Sequence, residues 1–179
     1  GQPWERTWKY TARRSADIFV IFENVFENDA RLVRIIPSQA ANSWLSNQLI
    51  TFFNDPFYNP QQVTADALAI APYFAGSVAN DIVDEGLVNT ISIPEIVDRM
   101  EGSLPQAFAW MAENQVVADA HGLRLLVYEG GQHLVGTGAN VNIDELTEKL
   151  IQANHHPDLQ EPYCAYLDHW YQHNGDLFM

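Results

Sequence analysis

Glu129 is the residue of this chain with the plainest chemical use. It follows an apolar run in the segment LRLLVYEGGQH, Leu123 to His133. A run of this length fits a strand buried on both faces, as in a parallel sheet, or a buried piece of helix. Read as a strand, it carries Glu129 to its carboxyl end, where α/β sheets and barrels place their ligands, and Gly130 and Gly131 then turn the backbone away without covering the side chain. A carboxylate in that position either pairs with a neighbouring loop or arginine, or does chemistry. Tyr128 can hold it by a hydrogen bond, and Gln132 and His133 bring further donors and acceptors to the same mouth. A strand end so supplied suits a sugar.

Three other groups of residues occupy comparable places. Arg31 to Ile36 is a short β-branched run that ends at Pro37-Ser38-Gln39, with Asn42 and Trp44 just beyond. Gln39 and Trp44 are therefore candidates to touch a ligand; Asn42 would either touch it or cap the following helix, and capping carries the greater weight. Asp66 to Ala71 is a second apolar run, ending at Pro72-Tyr73-Phe74, which brings Tyr73 to a third strand end. His133 divides evenly between contacting a ligand and bonding its own loop. The remaining tryptophans, Trp4, Trp8, Trp110 and Trp170, fall mostly on helical faces and read as core.

Metal and nucleophile chemistry find little support. His155, His156, His169 and His173 lack a His-Glu-x-x-His pattern, and helix ends and an apolar stripe account for them better than a metal does. No Gly-x-Ser-x-Gly elbow is present. Cys164 is the only cysteine, so an internal disulfide and a cysteine zinc site are excluded, and its place on a helix predicts inert packing. No cofactor and no metal are expected.

These residues must be positioned by a chain of 179 residues, the length of one domain with enough apolar content for a core. Its formal net charge is -14, from 23 acidic and 9 basic residues, which argues against nucleic acid and anionic membrane as partners. No stretch reaches the roughly 20 apolar residues of a membrane-spanning helix, and no signal sequence opens the chain.

Helical spacing predicts an amphipathic helix over Tyr10 to Phe26, with Ile18, Phe19, Phe22, Val25 and Phe26 inward. A second covers Ala41 to Phe53 and ends at Asn54-Asp55-Pro56. Phe57 to Gln62 reads as a loop, and so does the weakly patterned stretch Gly76 to Asn89. Ser92 caps and Pro94 opens the next helical region, which Gly122 closes. Asn142 is expected to cap a helix whose buried stripe is Ile143, Leu146, Leu150 and Ile151. The last helix begins near Pro157 with Leu159, Tyr163, Tyr166, Leu167 and Trp170 on one face, and stops at Gly175. Alternating strands and helices imply parallel strands joined by right-handed crossovers. The stretch after Ile36, PSQAANSW, has no glycine-rich phosphate turn, so a barrel is favoured over a doubly wound sheet.

The phrases RLVRIIPSQAANSW, DALAIAPYF, LLVYEGGQHL and NGDLFM resemble successive strand ends in the carboxyl-terminal half of (β/α)8 glycoside-hydrolase-like proteins of the superfamily that uses two glutamates. The resemblance runs through nearly the whole chain, and YEGGQH is its most specific part. It implies an α/β fold that is a partial TIM barrel, roughly strands five to eight with their helices. Residues 1–179 would then be a single domain, a fragment of a larger barrel truncated at both ends. It also implies a carbohydrate-active hydrolase in which Glu129 is the nucleophile and Tyr73 orients it, with Gln39, Asn42, Trp44, Tyr128 and His133 binding substrate.

The same resemblance calls for an Asn-Glu pair supplying the general acid/base, and no Asn-Glu dipeptide occurs in this sequence. Retaining hydrolysis needs two carboxyl groups roughly 5 to 5.5 Å apart, so the chain alone is expected to be inactive although its parent would be a glycosidase. The alternative is a non-catalytic carbohydrate-binding protein on the same scaffold. A third expectation is self-association through open sheet edges. An extracellular or periplasmic parent fits the resemblance, and the sequence leaves localisation open.

Overall fold

The computed structural model describes residues 2–26, 29–173 and 176–179. The chain separates into two compact units, one of Gly1–Ala71, Ala112–Glu129 and Asp176–Met179, the other of Pro72–Met111 and Gly130–Gly175.

The first unit opens with helix α1 (Pro3–Val25), two turns longer at its start than periodicity predicts. Pro3 suits a first turn, where its missing N–H costs nothing, and the i,i+4 pairs Lys9–Glu5 (2.6 Å) and Arg13–Asp17 (3.1 Å) run along the exposed side. The face it buries is not the expected one. Ala12, Ala16 and Phe19 are inside, whereas Ile18, Phe22 and Val25 are exposed. The two alanines let the helix backbone come close to α2 (Ser43–Phe53), and Phe19 meets the Phe53 ring edge-on at 5.5 Å. Close approach along small residues has set the rotation of α1 in preference to burying its largest side chains.

Among the described residues the sheet of this unit has three parallel strands, β1 (Ile35–Pro37), β2 (Ala67–Ile70) and β3 (Arg124–Val127), in the order β1-β2-β3. All four residues of central β2 are fully buried, as a parallel strand covered on both faces requires. Its alanines pack with Leu126 and Ile35.

This corrects the expected partial TIM barrel of four strands with their helices. Among the described residues the NGDLFM ending contributes only an isolated parallel bridge, Val127 to Phe178, held by Val127 N–H to Leu177 O (3.0 Å) and Met179 N–H to Val127 O (3.1 Å). Leu177 and Met179 remain exposed. One bridged residue with exposed neighbours forms neither a fourth strand nor a barrel wall, and helix accounts for about 60% of the chain.

Where the first two strands start, Arg34 acts as a fork. Its guanidinium donates to both Asp66 oxygens (2.9 and 2.8 Å) and to Glu23 (2.6 Å), and its backbone N–H donates to Asp66 at 2.7 Å. The hydrogen bond from the Arg34 side chain is the main reason the Asp66 carboxyl titrates below its ordinary value. A carboxyl whose folded pKa is depressed stabilises the fold above its unfolded pKa of about 3.9, and that contribution is lost as pH falls through the folded value. Acid unfolding followed by circular dichroism should therefore show wild type losing stability below about pH 4 more steeply than Asp66→Asn, which is less stable at neutral pH.

The second unit is helical: α3 (Val78–Asp84), α4 (Ile93–Gly102), the first half of α5 (Leu104–Ala120), α6 (Asp144–Asn154) and α7 (Gln160–His173). α3 replaces part of the loop expected over Gly76 to Asn89; it is short, but Val78, Ala79 and Ile82 share a buried face. Ser92 caps α4 by accepting the Glu95 N–H, as expected. Asn142 does not cap α6. It lies inside a 3₁₀ turn, Gly138–Asn142, that Ile143 N–H prolongs by bonding Asn140 O, so Ile143 takes the cap position.

In this unit two side chains expected to be buried are exposed. α6 buries Leu146, Leu150 and Ala153 and leaves Ile151 outside. Cys164, read as packing, is exposed because α7 buries the line Pro162, Tyr166 and Trp170, and a residue two places along a helix from that line points away. The stop expected at Gly175 lies outside the described residues.

Candidate functional site

In the first unit, β1 and β3 end on either side of the end of β2. Ser38 N–H continues the ladder to Ala69 O (2.8 Å) and Tyr128 N–H to Ile70 O (3.2 Å). The Tyr128 hydroxyl reaches Ser38 O at 3.4 Å. Burial is the main cause that pushes the Tyr128 phenol above its ordinary pKa, and the charge of Glu129 adds to it, so the hydroxyl stays protonated and able to donate near neutrality. Glu129 itself is exposed, immediately after Tyr128.

A cleft of about 290 Å³ opens at these strand ends, lined by Thr7, Trp8 and Thr11 of α1 and by Ser38, Gln39 and Tyr128. Beside it stands a group of three tryptophans. Trp8 meets Trp4 at 4.6 Å and Trp44 at 5.2 Å between ring centroids, and Trp4 and Trp44 lie 6.5 Å apart, all tilted rather than coplanar. Trp4 is 50% exposed and Trp44 54%. Tryptophan is mostly buried in folded proteins, so paired half-exposed indoles beside a cleft that Pro37, Leu45 and Leu49 also line form a surface suited to the apolar face of a ring.

The floor is held from below by a buried polar network. The Ser46 hydroxyl is bonded to the Ser38 hydroxyl (2.8 Å) and to Asn114 Oδ1 (2.6 Å), and Asn114 Nδ2 donates to Ala40 O (2.8 Å). Asn114 and Ser46 are fully buried. The network ties α2 and α5 to the loop that carries Gln39.

The sequence candidates thus fall into two sets. Gln39, Trp44, Tyr128 and Glu129 belong to the first unit, with Gln39 and Tyr128 in the cleft wall. Asn42 belongs there too, but its side-chain oxygen accepts the Leu45 N–H at 3.0 Å, so it caps α2. Asn42→Ala should cost about 1 kcal/mol of stability in a denaturant titration and leave ligand affinity unchanged. Tyr73 and His133 belong to the second unit, where their rings meet edge-on at 5.7 Å.

The loop around His133 is built closely. His133 N–H donates to Phe74 O (2.8 Å) and Phe74 N–H to Gly131 O (3.0 Å), forming an isolated parallel bridge. Gln132 turns its side-chain oxygen to the Leu134 N–H and its own N–H to the Tyr163 hydroxyl, so it serves its loop. Gly131 has φ +122°, and a Cβ there would sit 3.1 Å from the Tyr163 hydroxyl. Ala75 adopts φ +61°, and its N–H donates to Ser103 Oγ. The Tyr166 hydroxyl donates to Pro72 O at 2.6 Å, and burial raises its pKa.

Sequence reading missed Trp8, Thr7, Thr11, Ser38, Ser46 and Asn114. The spacing of Trp4, Trp8 and Thr11 at three and four residues was a usable signal for one helical face, and Asn114 amid apolar neighbours was another. Nothing local showed that Trp44 would join them. No family model, no curated protein and no solved structure matches this chain.

Proposed function

We propose that the chain is carbohydrate-active, with the cleft at the ends of β1 and β3 binding a sugar and Glu129 standing as the nucleophile of a glycoside hydrolase. The observation that carries this reading is the tryptophan group Trp4, Trp8 and Trp44 beside a cleft walled by Gln39, Tyr128 and two threonines. Sugar rings present an apolar face and an equatorial belt of hydroxyls, and this cleft offers an aromatic surface and neutral hydrogen-bonding groups together. The second reading, a non-catalytic carbohydrate binder, is favoured by the absence of a carboxylate among the described residues lining the cleft.

Two measurements separate the readings. Calorimetric titration with a neutral β-linked hexasaccharide should give saturable binding, weakened about tenfold by Trp44→Ala through loss of ring stacking. Incubation with a 2,4-dinitrophenyl 2-deoxy-2-fluoroglycoside then tests Glu129. Its carboxylate attacks the anomeric carbon, the bond to the aryl oxygen breaks, and dinitrophenolate departs without needing an acid, so one glutamate suffices. A glycosyl adduct on the peptide containing Glu129 supports the hydrolase; binding without an adduct supports the binder. Absence of saturable binding overturns both.

A further inference from the structure

The first unit has a second cavity, of about 230 Å³, lined by Ile50, Phe53 and Asn54 of α2 and its end, by Gln62 and Thr64 of the following segment, and by His121 beyond α5. We propose that it binds a purine or pyrimidine base, as the free base or nucleoside and not as a nucleotide.

The wall is preformed. Asn59 is buried, and its amide bonds Val63 in both directions, donating to Val63 O (2.8 Å) and accepting from Val63 N–H (3.1 Å). Asp55 O accepts the N–H groups of Tyr58 and Asn59, and Asn59 O accepts that of Gln62. These bonds hold Gln62 at φ +53°, a left-handed conformation that is unfavourable for any residue with a Cβ. Strain of that kind at a cavity rim points to use of the side chain it carries.

The chemistry of the lining narrows the ligand. Its lining combines the apolar residues Ile50 and Phe53 with four residues that carry neutral hydrogen-bonding groups or an imidazole, Asn54, Gln62, Thr64 and His121. The His121 ring is held in place by Asn47, its Nε2 lying 2.8 Å from Asn47 Oδ1. A carboxamide matches the adjacent donor and acceptor on the edge of a base, and the flat faces of a base tolerate apolar walls. A saccharide held here by its equatorial belt of hydroxyls would turn part of that belt toward Ile50 and Phe53, which offer no hydrogen-bond partner. No lysine, arginine or carboxylate lines it among the described residues, and a chain of net charge -14 repels phosphate.

The test uses the whole chain with adenosine, uridine, AMP and glucose in saturation-transfer NMR and calorimetry, on wild type and Gln62→Gly. Glycine takes φ +53° without strain, so this variant should melt at or above the wild-type temperature while losing the carboxamide. At least one nucleoside should bind saturably, AMP at least tenfold more weakly and glucose not at this site, and Gln62→Gly should weaken nucleoside binding several-fold. Failure of both nucleosides to bind at millimolar concentration, AMP binding as tightly as adenosine, or undiminished binding by Gln62→Gly would each overturn the proposal.

Discussion

Gly131→Ala should destabilise the protein by about 2–3 kcal/mol, lowering the melting temperature by several degrees. Two costs add. At φ +122° an L side chain is strained whatever space surrounds it, and here the new Cβ meets the Tyr163 hydroxyl at 3.1 Å. Tyr163 cannot yield freely, because its hydroxyl accepts the Gln132 N–H and its ring packs edge-on against Phe74 at 5.4 Å. Gly102, at the end of α4 with nothing within 4 Å of the position a methyl group would take, is the control: Gly102→Ala should be neutral or mildly stabilising through helix propensity. Equal effects of the two substitutions in thermal melts would show that backbone geometry at Gly131 is unimportant.

Asn114→Leu should cost about 3 kcal/mol in a urea titration, although leucine nearly matches asparagine in length and branching. The substitution strips a partner from the buried Ser46 hydroxyl and from Ala40 O, and a buried polar group without a partner costs roughly 1–3 kcal/mol. The combination with Ser46→Ala should cost less than the sum of the two single changes, because removing both partners leaves fewer unsatisfied groups. Strict additivity would mean that the two residues act independently. Loosening this network should also weaken the sugar binding proposed for the cleft, since Ser38, which bonds Ser46, lines it next to Gln39.

Legibility in the sequence followed the range of the forces involved. The Asn42 and Ser92 caps, the proline at the start of the α4 region and the apolar line through Leu159, Tyr166 and Trp170 act over a turn of helix, and each could be read from residues three or four apart. The runs that became β2 and β3 were visible because a strand buried on both faces must be continuously apolar, and that of β1, where only Ile36 is fully buried, by its β-branched residues. The barrel expectation failed on the shortest run of all, Leu177 to Met179, where three residues could not say whether they would make a strand or a single bridge. α3 was missed for the opposite reason: seven residues with weak patterning form a helix because the surrounding core accepts Val78 and Ile82.

For the candidate site, the chain order alone put Glu129, Tyr128, Gln39 and Tyr73 at strand ends. It could not assign Tyr73 to a ring contact with His133, or bring Trp4 and Trp8 to Trp44 across the packing of two helices. What the sequence by itself determined was the composition and net charge, the order of the three strands and most of the helices, two of their caps, and the placing of a carboxylate after an apolar run. Only the tertiary structure decided which face of α1 was buried, that Cys164 and Ile151 were exposed, and that indoles gathered beside the cleft. Hydrogen bonding and propensity are settled within a few residues, whereas the rotation of an element depends on the shape of the partner it packs against, and that partner is distant in the chain.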